Sequence, residues 1–149
     1  MKIRISVSEE KYNLVKDYLA GHGIEISDDG EYMITEAQKF PDFLTARDEK
    51  RERINISVGD IVYIEAYGKD IEIHTGQGTY FAQDRMYQLE ELLDPQVFLR
   101  VSKSVIISRR HVKKIRPSLS MKYILTMTDG TLVDVTRSYY GDFRRFFGI

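Results

Sequence analysis

The side chains in this sequence best suited to chemistry are cations, and they gather late in the chain. Residues 97–149 carry 11 Lys and Arg against 3 Asp and Glu, whereas residues 1–50 carry 7 against 11 and residues 51–96 carry 4 against 9. A formal net charge of -1 therefore conceals a strongly basic final third. Arg100 and Lys103 bracket Val101-Ser102, Arg109, Arg110 and His111 are consecutive, Lys113, Lys114 and Arg116 follow, and Arg137 stands after the last apolar run. Such a distribution offers a cationic face to an anionic polymer, because the local field governs encounter and the whole-chain charge does not. Arg makes bidentate contacts to guanine in the major groove, and Lys reaches phosphate or guanine acceptors. Gly68-Lys69 adds one more such finger. Two blander readings stand beside this one: the basic third docks on the acidic remainder, or each cation is a solvated charge that keeps a sheet soluble.

Other chemistries find no footing. There is no Gly-rich phosphate loop, no His-Glu-x-x-His and no Gly-x-Ser-x-Gly elbow. The histidines at 22, 74 and 111 have no ligand spacing, and no base can be placed beside the Ser104 hydroxyl. Glu65, Asp70 and Glu72 gather near one hairpin, as a divalent ion would require, but a charged turn explains them more simply, as it does Asp129 and, on a strand, Asp134. With no cysteine there is no disulfide and no thiolate chemistry. The expectation is a protein without catalysis or cofactor. Single-stranded nucleic acid would need exposed aromatic platforms, for which Tyr67 and Tyr80 are candidates.

The elements that must position the cations are mostly strands. Ile3, Ile5 and Val7 alternate, and Ser8, Glu9 and Glu10 then open a helix with Tyr12, Val15 and Leu19 on one face, stopped by Gly21 and Gly23. Strands at 24–27 and 32–35, separated by Asp28-Asp29-Gly30, read as a hairpin that completes a small α+β unit. The mixed-charge run at 42–53 reads as a boundary, giving units at 1–50 and 51–149, though linker and solvated helix extension suit it equally. Beyond it the hydrophobic period is two: strands from 54 to 82 form a meander turning at Gly59-Asp60, Gly68-Lys69-Asp70 and Gly76-Gln77-Gly78. Met86, Leu89, Leu92 and Leu93 form a helical stripe. Residues 98–107 regain β character, 112–115 and 123–127 follow, and Asp129-Gly130 turns the chain into 132–135. A short aromatic helix ends the sequence, with Thr136 or Ser138 as its cap. The fold class is thus mainly β, an antiparallel sheet module with short helices. No apolar run approaches the ~20 residues needed to span a bilayer, and the N-terminus turns polar too soon for a signal peptide, so a cytoplasmic location is expected.

Three segments, GDIVYIEAYGKDIEIHTGQGTYFAQDRMYQLEELL, FLRVSKSVIISRRHVKKI and YILTMTDGTLVDVTRSYYGDFRRFF, resemble in order and phrasing the LytTR family of DNA-binding domains, over about 95 residues. The resemblance implies an elongated β fold whose loops enter successive major grooves of double-stranded DNA, with paired sites recognised by two copies. The family's base-contacting positions fall on Lys69, Lys103 and Arg137. Arg100, Ser104, Arg109, Arg110, Lys114 and Ser138 are expected to contact the DNA backbone. Two departures stand out: Ser102 where the family often has His, and Ser108 where it often has Asn. Residues 1–50 do not resemble a phospho-acceptor receiver, which would need more than twice that length. The resulting expectation is a homodimeric transcriptional regulator whose amino-terminal unit contacts its partner subunit or a regulatory protein. The alternative is a non-catalytic interaction module, an antagonist of a related regulator.

Overall fold

The computed structural model describes residues 1–37 and 40–149. The chain divides into two compact units, Met1–Lys39 and Phe40–Ile149. The first contains β1 (Lys2–Ser6), α1 (Glu9–Gly21), β2 (Glu25–Ile26) and β3 (Tyr32–Thr35). Both β2 and β3 pair with β1 in parallel, giving the order β2-β1-β3. The expected hairpin is therefore corrected: the two strands flank β1 and never meet. Their connection passes against the β1 backbone, where a Cβ at Gly30 would sit 2.8 Å from the amide nitrogen of Arg4. Glycine is needed there for close approach, a demand distinct from the turn for which the sequence suggests it. Ile3 and Leu19 form the buried heart of this unit, while Leu14 and Tyr18 of α1 are exposed.

In the second unit, β4 (Phe43–Arg47) and β5 (Arg53–Ser57) form a hairpin. They are followed by β6 (Ile61–Tyr67), β7 (Asp70–Thr75), β8 (Gly78–Ala82), α2 (Met86–Leu92), β9 (Phe98–Arg100) and β10 (Val105–Ser108). The seven strands form one sheet in the order β5-β4-β8-β7-β6-β10-β9. A second sheet contains β11 (Val112–Ser118), β12 (Lys122–Met127) and β13 (Leu132–Val135), and α3 (Tyr140–Phe147) closes the chain. This is a mixed α+β fold of antiparallel sheets and short helices. The charged run at 42–53 thus lies largely within a hairpin of the second unit, and the division falls at 39/40 where the sequence suggests 50/51. Leu44, Ala46 and Ile56 carry that hairpin into the core, which its charged tip does not reveal. Nor does β5 pair with β6: the single turn of 3-10 helix at 58–60 carries the chain to the interior of the sheet, so the meander is β6-β7-β8 alone.

Both faces of the large sheet are covered. On one, α2 lays Met86, Leu89 and neighbouring Leu93 over Ile64, Ile73 and Ile106; on the other, the small sheet and α3 cover Val62, Tyr63, Val105 and Ile107. A register shift between Ile61 and Tyr63 lets β6 serve both layers, with Ile61 and Ile64 in the first cluster and Val62 and Tyr63 in the second. The aromatic helix packs as its pattern predicts. Phe143 is fully buried, 5.0 Å from Tyr123 and 4.7 Å from Phe147 between ring centres, and Tyr140 stacks on Tyr123 at 5.1 Å. Its start is a 3-10 turn at 137–139, with no side-chain hydrogen bond capping it from either Thr136 or Ser138. A hydrogen bond with Tyr140, then burial, holds the Tyr123 phenol above its ordinary value, and burial does the same for Tyr63. No helix among the described residues is long and apolar enough to cross a membrane.

Candidate nucleic-acid interface

Lys69, Lys103 and Arg137 are exposed, and each stands on a different connection. Lys69 is at the β6–β7 turn, made tight by Gly68 with φ 60°. Lys103 is in the four-residue loop 101–104 between β9 and β10, and Arg137 opens the 3-10 turn that leads from β13 into α3.

Backbone hydrogen bonds join the three connections. The Ala66 amide near the end of β6 donates to the Ser104 carbonyl at 2.8 Å, and the Thr136 amide donates to the Val101 carbonyl at 3.0 Å. The Thr136 hydroxyl reaches the same carbonyl at 3.4 Å. Loop 101–104 is thus the centre piece, bonded on one side to the strand that ends at Lys69's turn and on the other to the residue before Arg137. It is also closed at its base: fully buried Val101 anchors it, the Val101 amide donates to the Val105 carbonyl at 3.0 Å, and the Ser104 amide lies 3.3 Å from the Ser102 hydroxyl. Ser104 and Ser138 belong to this same end of the unit. Ser102 is buried within the loop, while Ser138 is exposed.

The other candidates lie elsewhere. Arg109 and Arg110 occupy a 3-10 turn at the opposite end of β10, a strand of four residues, or roughly 13 Å. The Arg109 guanidinium lies over Phe146 and Phe147, 5.2 and 5.5 Å from their ring centres. His111 fixes this turn: Nε2 donates to the Gly59 carbonyl at 2.9 Å, which leaves Nδ1 of the neutral ring to accept from the Thr128 hydroxyl, also at 2.9 Å. Lys114 projects from the outer face of the small sheet. A register shift between Val112 and Lys114 spares Lys113 and Lys114 strict alternation, and both are exposed. Pairing Lys114 with Thr126, Arg116 with Ile124 and Ser118 with Lys122 places Arg116 next to Lys114 on that outer face, with Lys122 further along it. Arg116 already stands in the late cationic cluster of the sequence, and the sheet register adds Lys122 to the same face. Arg100 is half-buried, and its guanidinium turns to Glu90 of α2 and to carbonyls of the loop. Of the proposed stacking aromatics, Tyr67 is 68% exposed, but Tyr80 packs against the core.

A β-rich module that presents cations from three bonded loops at one end belongs to the class that can offer a positive face to an anionic polymer. Comparison with known proteins makes the class specific. Residues 51–148 match the LytTr DNA-binding domain, and the chain belongs to that family. It is 30% identical over 94 residues to the sensory transduction protein LytT of Bacillus anthracis, covering 63% of this chain and 38% of that one. It is 28% identical over 90 residues to the transcriptional regulatory protein LytR of Staphylococcus aureus, covering 60% and 37%. The chain therefore matches little more than a third of the length of these relatives. A solved structure titled LytTr DNA-binding domain of a putative methyl-accepting/DNA response regulator, from Bacillus cereus, superposes with a TM-score of 0.69 at 26% identity, covering 73% of this chain and 99% of that one. LytTR domains are DNA-binding, non-catalytic modules, and the resemblance read from the three sequence segments is borne out.

Proposed function

We propose that the protein is a cytoplasmic transcriptional regulator that binds specific double-stranded DNA as a homodimer, with Lys69, Lys103 and Arg137 reading base edges in the major groove. The observation that carries this reading is the pair of backbone bonds, Ala66 to Ser104 and Thr136 to Val101, that gathers the three loops. Ser104 and Ser138 lie beside the reading residues and contact the nearest phosphates. Arg109 and Arg110 lie about 13 Å away along β10, close to the ~12 Å width of a major groove, which suits phosphates on its far wall. Lys114, on the outer face of the small sheet, supplies a further phosphate contact. Backbone contacts of this kind supply affinity that falls steeply with salt, while the few base contacts supply discrimination. Two copies on paired half-sites double a footprint that is small for one domain. Residues 1–39 hold the copies together or meet a regulatory protein; exposed Leu14, Tyr18 and Met33 favour an interacting role.

The test is a gel-shift titration on duplexes selected from a random library by the wild-type protein, repeated with Lys103→Ala and Arg137→Ala. Weaker and less selective binding by both variants supports the reading surface, and unchanged affinity in both rejects it. A wild type that selects no duplex but captures a related regulator tightly would favour the antagonist instead.

A further inference from the structure

Arg100 is the last residue of β9, next to the loop that carries Lys103, and all three of its donor nitrogens turn inward. Nη2 donates to the Lys103 carbonyl, Nε to the Ser102 carbonyl at 3.3 Å, and Nη1 to Oε2 of Glu90 at 3.2 Å. The two carbonyls that Arg100 takes are those left over by the neighbouring loops. Val101 accepts from Thr136 and Ser104 accepts from Ala66, so every carbonyl of the 101–104 loop has a partner. Two of the four acceptors depend on one guanidinium, which Glu90 in turn ties to α2. The side chain of Arg100 is 22% exposed, against 50% for Glu90, so the anchor is more open to water than the residue it holds.

We infer that Arg100 is a positioning residue for the Lys103 loop, working through Glu90 and the loop backbone, and not a contact to the DNA phosphates. This rests on Lys103 reading DNA, and it revises the expectation that Arg100 itself grips the backbone. The planar fork matters more than the charge. Lysine presents a point charge on a flexible stem, so it keeps the +1 but cannot hold two carbonyls and a carboxylate in three fixed directions. Freed of the brace, the loop presents Lys103 in several orientations, which weakens base discrimination while leaving the non-specific attraction to phosphate in place.

The experiment uses the full chain, a duplex that the wild type selects from a random library, and a scrambled duplex of equal length, each titrated across salt concentration. Arg100→Lys, Arg100→Gln and Glu90→Gln are each expected to lower the selected-over-scrambled ratio about tenfold, the loss expected for hydrogen bonds to charged groups. The salt slope for Arg100→Lys and Glu90→Gln should match the wild type. Glu90→Gln is the sharpest arm: removing a negative charge tightens binding to both duplexes if only electrostatics matter, whereas loss of the anchor weakens the selected one. It also keeps the test open if an Arg100 variant fails to fold, because Glu90 is half exposed. The inference is overturned if Arg100→Lys retains the wild-type ratio while Arg100→Gln lowers the salt slope by about 0.9, the signature of one lost phosphate contact. A wild type that does not discriminate between duplexes overturns the parent reading, an outcome distinct from a discriminating wild type with indifferent variants.

Discussion

Lys103 and Arg137 stand next to backbone groups bonded to neighbouring segments, so truncating these proposed reading side chains removes a contact without unmaking the loop. Lys103→Ala and Arg137→Ala should therefore keep the wild-type melting temperature within about 2 °C while losing about 1–3 kcal/mol of binding to a specific duplex, measured by anisotropy. A drop of many degrees would mean that these residues hold the fold. His111 is the opposite case. Its ring bridges the Gly59 carbonyl, just ahead of β6, and Thr128 in the β12–β13 hairpin. His111→Ala should cost the second unit about 1–2 kcal/mol in urea denaturation, a range set by two hydrogen bonds of modest net worth. The sequence shows His111 only as one more residue in a basic cluster, since its bonds go to positions 52 residues earlier and 17 later. Arg100 was hidden in the same way: charge is visible in a sequence, but the carboxylate and carbonyls that occupy it are not.

Short elements in this chain owe their form to partners distant in sequence. Helix α1 begins at Ser8 without a side-chain cap; instead the Ser8 amide donates to Oε1 of Glu36 at 2.8 Å, and Lys11 Nζ lies 3.8 Å from the other carboxylate oxygen. The Ser8 amide foremost, with Lys11 assisting, holds the Glu36 carboxyl below its ordinary value of 4.5. A carboxylate depressed on folding stabilises the folded state above its unfolded value, and that contribution is lost as pH falls through the lower folded value. Circular dichroism of α1 should thus show a helix loss below pH 4.5 that Glu36→Gln diminishes. An identical acid profile in that variant would remove Glu36 from the account. Elsewhere, β-rich runs between glycine turns made β6, β7 and β8 legible, and clean alternation of outward and core-facing residues did the same for β12 and β13. The β4–β5 hairpin was obscured by the charges of its tip, and its core residues Leu44, Ala46 and Ile56 are too few to announce two strands. The parallel pairing of β2 and β3 with β1 left no local mark at all, since their partners in β1 lie 23 and 29 positions upstream in the chain.

Across the whole molecule the two units differ in depth of core. The second buries two clusters of eleven residues, whereas in the first Ile3 and Leu19 are the buried hydrophobic residues among those described. A unit of about 39 residues is near the lower limit at which burial offsets chain entropy. It nonetheless leaves Leu14 72%, Tyr18 66%, Tyr32 59% and Met33 55% exposed, and β3 is an edge strand whose outer side pairs with no strand among the described residues. Association through that unit would supply the missing burial, and a link between copies is what the proposed homodimer requires. Native-state hydrogen exchange separates the possibilities because folding linked to association depends on concentration. If copies meet through residues 1–39, a hundredfold rise in protein concentration deepens protection of the β1 amides by up to about 2.7 kcal/mol, whereas the β6 and β10 amides respond less. Leu14→Glu and Met33→Glu should then abolish that dependence and flatten cooperative binding to paired half-sites, leaving affinity for one half-site intact. Protection of β1 that is independent of concentration, together with a monomer in sedimentation even on paired-site duplex, would remove the amino-terminal unit from dimerisation and leave a regulatory protein as its proposed partner.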